Sequence, residues 1–174
     1  RSFIASTNNY YNLGTSAKRW ATEYPTNLDV TNFSPTNIAI TSGTVKLDGD
    51  YPTGTGNVAL GNEALDALQS GGNYNTAIGT YALTTVTTGE QNVGVGYETL
   101  KSLTTADNNV AIGMRALQAN ETGTRNTAIG NQALYNNITD NNTAVGANAG
   151  VSVTTGTRNV LVGNFAGDAI TTGG

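Results

Sequence analysis

Apolar and small residues alternate in one pentapeptide that recurs along the chain from residue 57 onward. Each copy has Asn first, Val or Thr second, an aliphatic residue fourth and Gly fifth, and the third residue is small in all copies but one. The seven copies occupy residues 57–61, 75–79, 92–96, 109–113, 126–130, 142–146 and 159–163. Alternation of this kind predicts a short β-strand in every copy. Below, positions in a repeat are counted from its Asn, which is position 1.

The spacing of the copies predicts how the strands are arranged. The sequence numbers of successive opening Asn residues differ by 18, 17, 17, 17, 16 and 17. This period is too short for helical repeats, which need more than about 30 residues. The chain contains no Asn-Gly dipeptide, and the strands do not have the spacing of a tight hairpin. Identical strands one period apart stack in parallel, about 4.8 Å per coil. The sequence therefore predicts an all-β protein, a parallel β-solenoid of seven coils of about 17 residues.

The apolar positions also predict a core. We expect the strand aliphatics, such as Ile78, Val95 and Ile112, to fill the interior, with small residues at position 8 where the chain turns. Position 9 is Leu in five coils, and position 12 is aliphatic at Leu68, Val86, Leu103, Val153 and Ile170. Because a narrow coil cannot hold all these rows, at least one should form a second apolar face outside. Three chains around an axis would bury that face, which predicts a parallel homotrimer.

The Asn that opens each repeat forms a row along the solenoid. Its members are Asn57, Asn75, Asn92, Asn109, Asn126, Asn142 and Asn159. We expect these side chains to stack and to bond the turn backbone or the Asn of the coil above, because Asn satisfies turns with its own amide. A row that contacts a ligand is the alternative.

The pattern Asn-Thr-Ala-Ile-Gly-x-x-Ala, across residues 57–170, resembles the head repeats of trimeric autotransporter adhesins. The same repeats also resemble units of bacteriophage tail fibres. The resemblance implies a left-handed β-roll, a homotrimer and an extracellular location. Residues 12–20, Asn-Leu-Gly-Thr-Ser-Ala-Lys-Arg-Trp, resemble a segment common in tail fibres, which favours a virion over the alternative location on a bacterial cell surface. The implied partners are the chain itself, other tail proteins and a glycan or protein receptor on the host surface.

Residues 1–56 lack the repeat, and we expect them to form an irregular lead-in segment that precedes the repeat domain 57–174. Within the lead-in, residues 37–40 and 44–47 are strand-like. We expect Trp20 to pack against neighbouring chains where the rod begins, with Lys18 and Arg19 stacked on it rather than binding a glycan or nucleic acid.

Composition limits the chemistry. The chain has no His and no Cys, and its formal net charge is −4 from 8 basic and 12 acidic residues. Imidazole bases, thiol nucleophiles and Cys/His zinc sites are thereby excluded, and a nucleic-acid footprint is not expected. No apolar run is long enough to insert into a membrane. Glu63 and Glu98 share position 7, which varies freely and looks like a solvated outer edge, and Asp48-Gly-Asp50 looks like a turn. We expect neither an enzyme nor a cofactor or metal site.

These features together predict a rigid structural segment of a trimeric phage fibre that attaches to a host surface. The candidate contact residues are Tyr81, Tyr97, Arg115 and Phe165, because Tyr and Arg are common in interfaces. The head of a bacterial trimeric adhesin is the alternative function. An ice-binding solenoid is more remote, because Thr lies in links of varying length rather than in one Thr-x-Thr row.

Overall fold

The computed structural model describes residues 54–173. The expected lead-in strands at 37–40 and 44–47, the environment of Lys18, Arg19 and Trp20, and the turn at 48–50 lie outside the described residues. Seven strands of three residues each are present: β1 (Val58–Leu60), β2 (Thr76–Ile78), β3 (Val93–Val95), β4 (Val110–Ile112), β5 (Thr127–Ile129), β6 (Thr143–Val145) and β7 (Val160–Val162). No helix occurs between residues 54 and 173.

All seven strands pair in parallel, in the order β1 to β7, and equivalent positions lie side by side throughout. The turns stack as well, since Leu83 N–H donates to Thr99 C=O and Thr87 N–H to Thr104 C=O of the next coil. The prediction of an all-β parallel solenoid is confirmed, with about six turns from β1 to β7. Each repeat is one coil, so a side chain at a given position forms a row along the rod.

The prediction that the aliphatic residues at position 4 of the strands fill the interior was wrong. Position 3 points inward: Ala77, Ala111, Ala128 and Ala144 are fully buried. Position 4 points outward, and Ile112 is 40% exposed. Because successive strand residues face opposite sides, positions 2 and 4 must share one face, and the small residue takes the inner one.

The large core side chains come from the segment opposite the strand. Position 9 is fully buried in the coils that have Leu there: Leu65, Leu83, Leu100, Leu117 and Leu134. At position 12, Val86, Leu103 and Val153 are also fully buried. The rows at positions 9 and 12 therefore lie inside, and the aliphatic row that remains outside is position 4 of the strands. Ala at position 3 leaves room for the Leu rows, which is why two layers can pack so closely.

Two exceptions to the repeat compensate each other within this core. The last strand carries Leu161 at position 3, and the last two coils carry Gly150 and Gly167 in place of the position 9 Leu. A Cβ added at either glycine would lie 2.7 Å from a δ-methyl of Leu161. Leu161 therefore occupies, from the opposite layer, the space that Leu fills in the other coils.

Each coil turns through left-handed backbone at fixed positions. Position 7 has positive φ in every coil, from Glu63 (φ 55°) to Phe165 (φ 56°), and Leu at position 9 has φ between 50° and 53°. Position 5 is Gly because coils approach closely there: a Cβ on Gly96 would lie 2.7 Å from the carbonyl oxygen of Gly113.

Candidate functional site

The Asn row lies inside the solenoid and is hydrogen-bonded from coil to coil. The side-chain oxygen of Asn92 accepts from the backbone N–H of Asn109 at 3.0 Å, and Asn109 accepts in the same way from Asn126. The side-chain amide of Asn109 donates to the carbonyl of Gly123, at 2.9 Å, in the turn that leads to the next coil. The other coils repeat both contacts, except that Asn159 in the last coil has only the amide contact, to Gly173, because no repeat follows it among the described residues.

The Asn row therefore binds the protein's own backbone. Asn75, Asn92, Asn109, Asn126 and Asn142 have no exposed surface. Within residues 54–173, no buried side-chain nitrogen or oxygen lacks a hydrogen-bond partner. The row holds the coils in register, and its polar atoms are already engaged with neighbouring turns and Asn residues.

Three of the four candidate contact residues lie together on adjacent coils. The rings of Tyr81 and Tyr97 pack edge to face, with centroids 6.3 Å apart. The guanidinium of Arg115 lies 5.9 Å from the centroid of the Tyr97 ring. Lys101, which the sequence reasoning did not select, places its ammonium group 5.2 Å from the centroid of Tyr81. Cations at these distances are attracted by the aromatic ring.

Glu98 joins these cations, and its predicted position on a solvated outer edge was wrong. It is 7% exposed. Its two carboxylate oxygens accept from Lys101 Nζ at 2.6 Å and from Arg115 Nε at 2.9 Å. Gln118 donates a third hydrogen bond, at 2.9 Å. The Lys101 hydrogen bond lowers the pKa of Glu98, and the Arg115 pair adds to this against the opposing effect of burial.

We call these six residues the edge cluster: Tyr81, Tyr97, Glu98, Lys101, Arg115 and Gln118. Four of them are at positions 6 and 7, just after the strand, and Lys101 and Gln118 are at position 10. Position 10 follows the buried Leu of the layer opposite the strand. The edge cluster therefore wraps around one edge of the solenoid, away from the outer face of the strands.

The repeat alignment contained a signal for the missed members. Lys101 follows Glu98 by three residues, and Arg115 occupies the same position as Glu98 one coil later. Stacked coils bring such opposite charges into contact. Treating position 7 as freely variable concealed this pairing.

Phe165 lies apart from the edge cluster. It is also at position 7 but three coils beyond Arg115, and it is 53% exposed. At about 4.8 Å per coil, roughly 14 Å separates its coil from that of Arg115. The structure therefore does not join Phe165 to the other three candidates.

The outer face of the strands is a second candidate surface. We call it the strand face; it consists of positions 2 and 4 of β1 to β7. Every position 2 residue is Val or Thr and every position 4 residue is Leu, Ile or Val, so the strand face carries no charge. Its length is roughly 30 Å, from six spacings of about 4.8 Å, and two side-chain rows give a width of about 10 Å. This area, on the order of 300 Å², matches the largest apolar patch of a typical monomer, and such patches are often functional.

No protein-family model, curated protein or solved structure matches this chain. Among residues 54–173, no three acidic, His or Cys side chains form a group that could hold a metal ion. In the same part of the chain, no helix has the length and apolar character needed to cross a membrane. The edge cluster and the strand face are thus the two surfaces from which a function can be argued.

Proposed function

We propose that this chain is a rigid structural segment of an extracellular trimeric fibre, of the kind that bacteriophages use to attach to a host surface. The uncharged strand face carries the proposal, because a row of exposed aliphatic side chains on a regular rod favours association with equivalent rods. The repeat pattern and the tail-fibre-like segment at residues 12–20 support a viral fibre. A left-handed coil is part of the same proposal.

The trimer would turn three strand faces toward a common axis. The strand face alone is smaller than the roughly 800 Å² per partner of a standard interface. We therefore expect neighbouring rows to contribute, among them the row of residues directly before each Asn, where Tyr74 is exposed. The edge cluster follows the strands and lies around the edge opposite to that row, so it would stay accessible for the host receptor.

The association is tested by sedimentation and light scattering of the 174-residue chain. We expect a mass three times that of the single chain, which is 17.9 kDa. Replacing Ile112 and Ile129 together with Lys places charges on the strand face, and we expect a monomer. The matched control replaces Thr105 and Thr122 with Lys. These residues are exposed on adjacent coils away from the strands, so this variant should remain trimeric. A wild-type chain that sediments as a stable monomer contradicts the proposal.

The role in attachment is tested on the full-length protein. For a fibre, we expect the sequence beyond residues 1–174 to include a virion-attachment domain, and the purified protein to compete with the virus for adsorption to its host. A C-terminal membrane barrel would instead assign the chain to a bacterial surface adhesin, the alternative that the same repeats support.

One observation bears on the ice-binding alternative. Exposed Thr residues share position 14 in five coils, at Thr88, Thr105, Thr122, Thr155 and Thr172, whereas exposed Thr85 and Thr171 lie at other positions. Coil 5 is one residue shorter and interrupts this row. A single interrupted row does not form the flat two-dimensional array that an ice surface requires, so we do not favour this function. Thermal hysteresis in solutions of the protein would reverse that preference.

A further inference from the structure

We infer that the edge cluster binds an anionic saccharide, with Arg115 as the residue that binds its carboxylate or phosphate group. The inference rests on the proposed function in one respect, because it names the chemical class of the receptor.

Arg115 is held in place by one edge of its guanidinium. Its Nε donates to Glu98 at 2.9 Å, and among the described residues its side chain makes no other hydrogen bond. Its side chain is 39% exposed. The two terminal amino groups therefore remain for a ligand. A guanidinium presents such a pair of donors in the geometry that matches two oxygens of a carboxylate or phosphate.

Glu98 orients Arg115 without neutralising the edge cluster. Lys101 and Arg115 together outnumber the single carboxylate, so one net positive charge remains. The described chain otherwise has an acidic balance: its basic residues are Lys101, Arg115, Arg125 and Arg158, against eight acidic ones. Lys101 Nζ uses one of its three donors on Glu98, and its side chain is also 39% exposed. An anion would therefore meet two cations at one place on a largely acidic rod.

The aromatic residues argue for a sugar rather than a free ion. Tyr97 is 42% exposed, and its ring contacts both the Tyr81 ring and the guanidinium of Arg115. The exposed part of the ring offers apolar surface for the C–H groups of a sugar, and its hydroxyl can bond a sugar hydroxyl. Met114, in the next coil at the same position, extends this exposed surface. A nucleic acid would require a basic stripe, which one net charge does not supply.

A trimer would present three such sites. A single shallow site of this size binds weakly, and simultaneous binding of several sites raises the overall affinity without any new contact. We therefore expect weak binding of a soluble saccharide and stronger retention on a surface that displays it densely.

The probes are trigalacturonate, mannose 6-phosphate and the neutral galactotriose, tested on the intact 174-residue protein by titration calorimetry and by saturation-transfer NMR. We expect trigalacturonate, mannose 6-phosphate or both to bind, and galactotriose not to bind. The first two distinguish a carboxylate from a phosphate as the bound group. Equal binding of galactotriose, or no binding of either anionic probe at about 10 mM, would overturn the inference.

Three variants and one control test the assigned roles. Arg115→Ala should lower the affinity about tenfold or more, as expected when a charged hydrogen bond is lost. Arg115→Lys keeps the charge but loses the paired donors, so it should also weaken binding. Thr155→Glu lowers the net charge by the same amount at an exposed position two coils from Arg115 and is the control. An equal loss in Thr155→Glu would mean that only net charge matters, which contradicts a specific site.

The third variant, Glu98→Gln, tests whether binding needs the orientation that Glu98 gives the Arg115 guanidinium or only positive charge. It makes the edge cluster more positive but leaves one acceptor oxygen for the three donors of Lys101, Arg115 and Gln118, so the guanidinium of Arg115 is held less firmly. We expect weaker binding, whereas simple charge attraction predicts stronger binding. Circular dichroism and melting temperature verify that each variant is folded. Sedimentation of the same samples distinguishes the two proposals: a trimer without saccharide binding contradicts only this inference, and a monomer that binds contradicts only the trimeric fibre.

Discussion

Leu161 fills the core space beside Gly150 and Gly167 that Leu fills from the opposite layer in the other coils. A substitution at position 161 should therefore compensate for one at position 150. Leu161→Ala restores the small strand residue of the other coils and leaves a cavity beside Gly150 and Gly167. Buried Leu→Ala changes cost about 2–5 kcal/mol. Leu161 is 9% exposed in the last coil, where its surroundings can relax, so we expect about 2–3 kcal/mol.

Gly150→Leu tests the same space from the opposite layer. A Cβ at Gly150 would lie 2.7 Å from Leu161 Cδ1 and 3.0 Å from Leu134 Cδ2. Overpacking of this kind costs about 1–3 kcal/mol. With Ala at position 161, the new Leu has the space that Leu has in the first five coils. Gly150 has φ 61°, close to the φ of those Leu residues, so the backbone already has the required conformation.

The double variant Leu161→Ala/Gly150→Leu should therefore lose less stability than the sum of the two single-variant losses. We expect a coupling free energy of at least about 2 kcal/mol, with about 1 kcal/mol of residual strain from a non-Gly residue in the left-handed region. Urea unfolding followed by circular dichroism measures the total stability, and hydrogen exchange of Val160–Val162 locates the effect. Leu65→Ala combined with Gly150→Leu, five coils apart, is the control and should be additive. If the losses of Leu161→Ala and Gly150→Leu were additive as well, the two side chains would not share one space, and the reasoning would be refuted.

Three further predictions follow from the row contacts and from Glu98. Asn109→Ala leaves the buried Asn126 N–H without its partner, while the Gly123 carbonyl keeps the hydrogen bond from Asn120, so unfolding experiments should show a loss of about 1–3 kcal/mol, whereas the exposed Asn164→Ala should change little. Gly96→Ala should destabilise more than Gly71→Ala: both have positive φ, but only at Gly96 does an added Cβ meet backbone, so equal losses would contradict the clash. The lowered pKa of Glu98 means that its ion pairs stabilise the fold above about pH 4.5 and lose that effect as the pH falls through the folded pKa. The melting-temperature difference between wild type and Glu98→Gln should shrink from about pH 6 to pH 3, and a constant difference would contradict the assignment.

The regular parts of the fold could be predicted from sequence because the period is a covalent property of the chain. Asn75, Asn92, Asn109 and Asn126 follow one another at a constant spacing of 17 residues, and only stacking in register allows equivalent residues to meet at every coil. The parallel order of the strands, the short strand length and the row of Asn side chains follow from that spacing.

The edge cluster was predictable in part. Tyr81, Tyr97 and Arg115 were selected by residue type, and the structure brings them together. Glu98 was misplaced because its burial depends on Lys101 and Arg115, which reach it from its own turn and from the next coil. Phe165 has the same position in its repeat but no such neighbours, so residue type alone could not separate it from the others.

The sequence by itself determined the period, the strands and their parallel stacking, since each depends on residue spacing alone. Only the tertiary structure decided which side of each strand faces inward. An alternating strand has two faces, and the face that is buried depends on what packs against it. Leu117 and its equivalents fill the core from the opposite layer, so Ala111 must point inward and Ile112 outward. That choice, made by volume between two layers distant along the coil, created the strand face on which the proposed assembly depends.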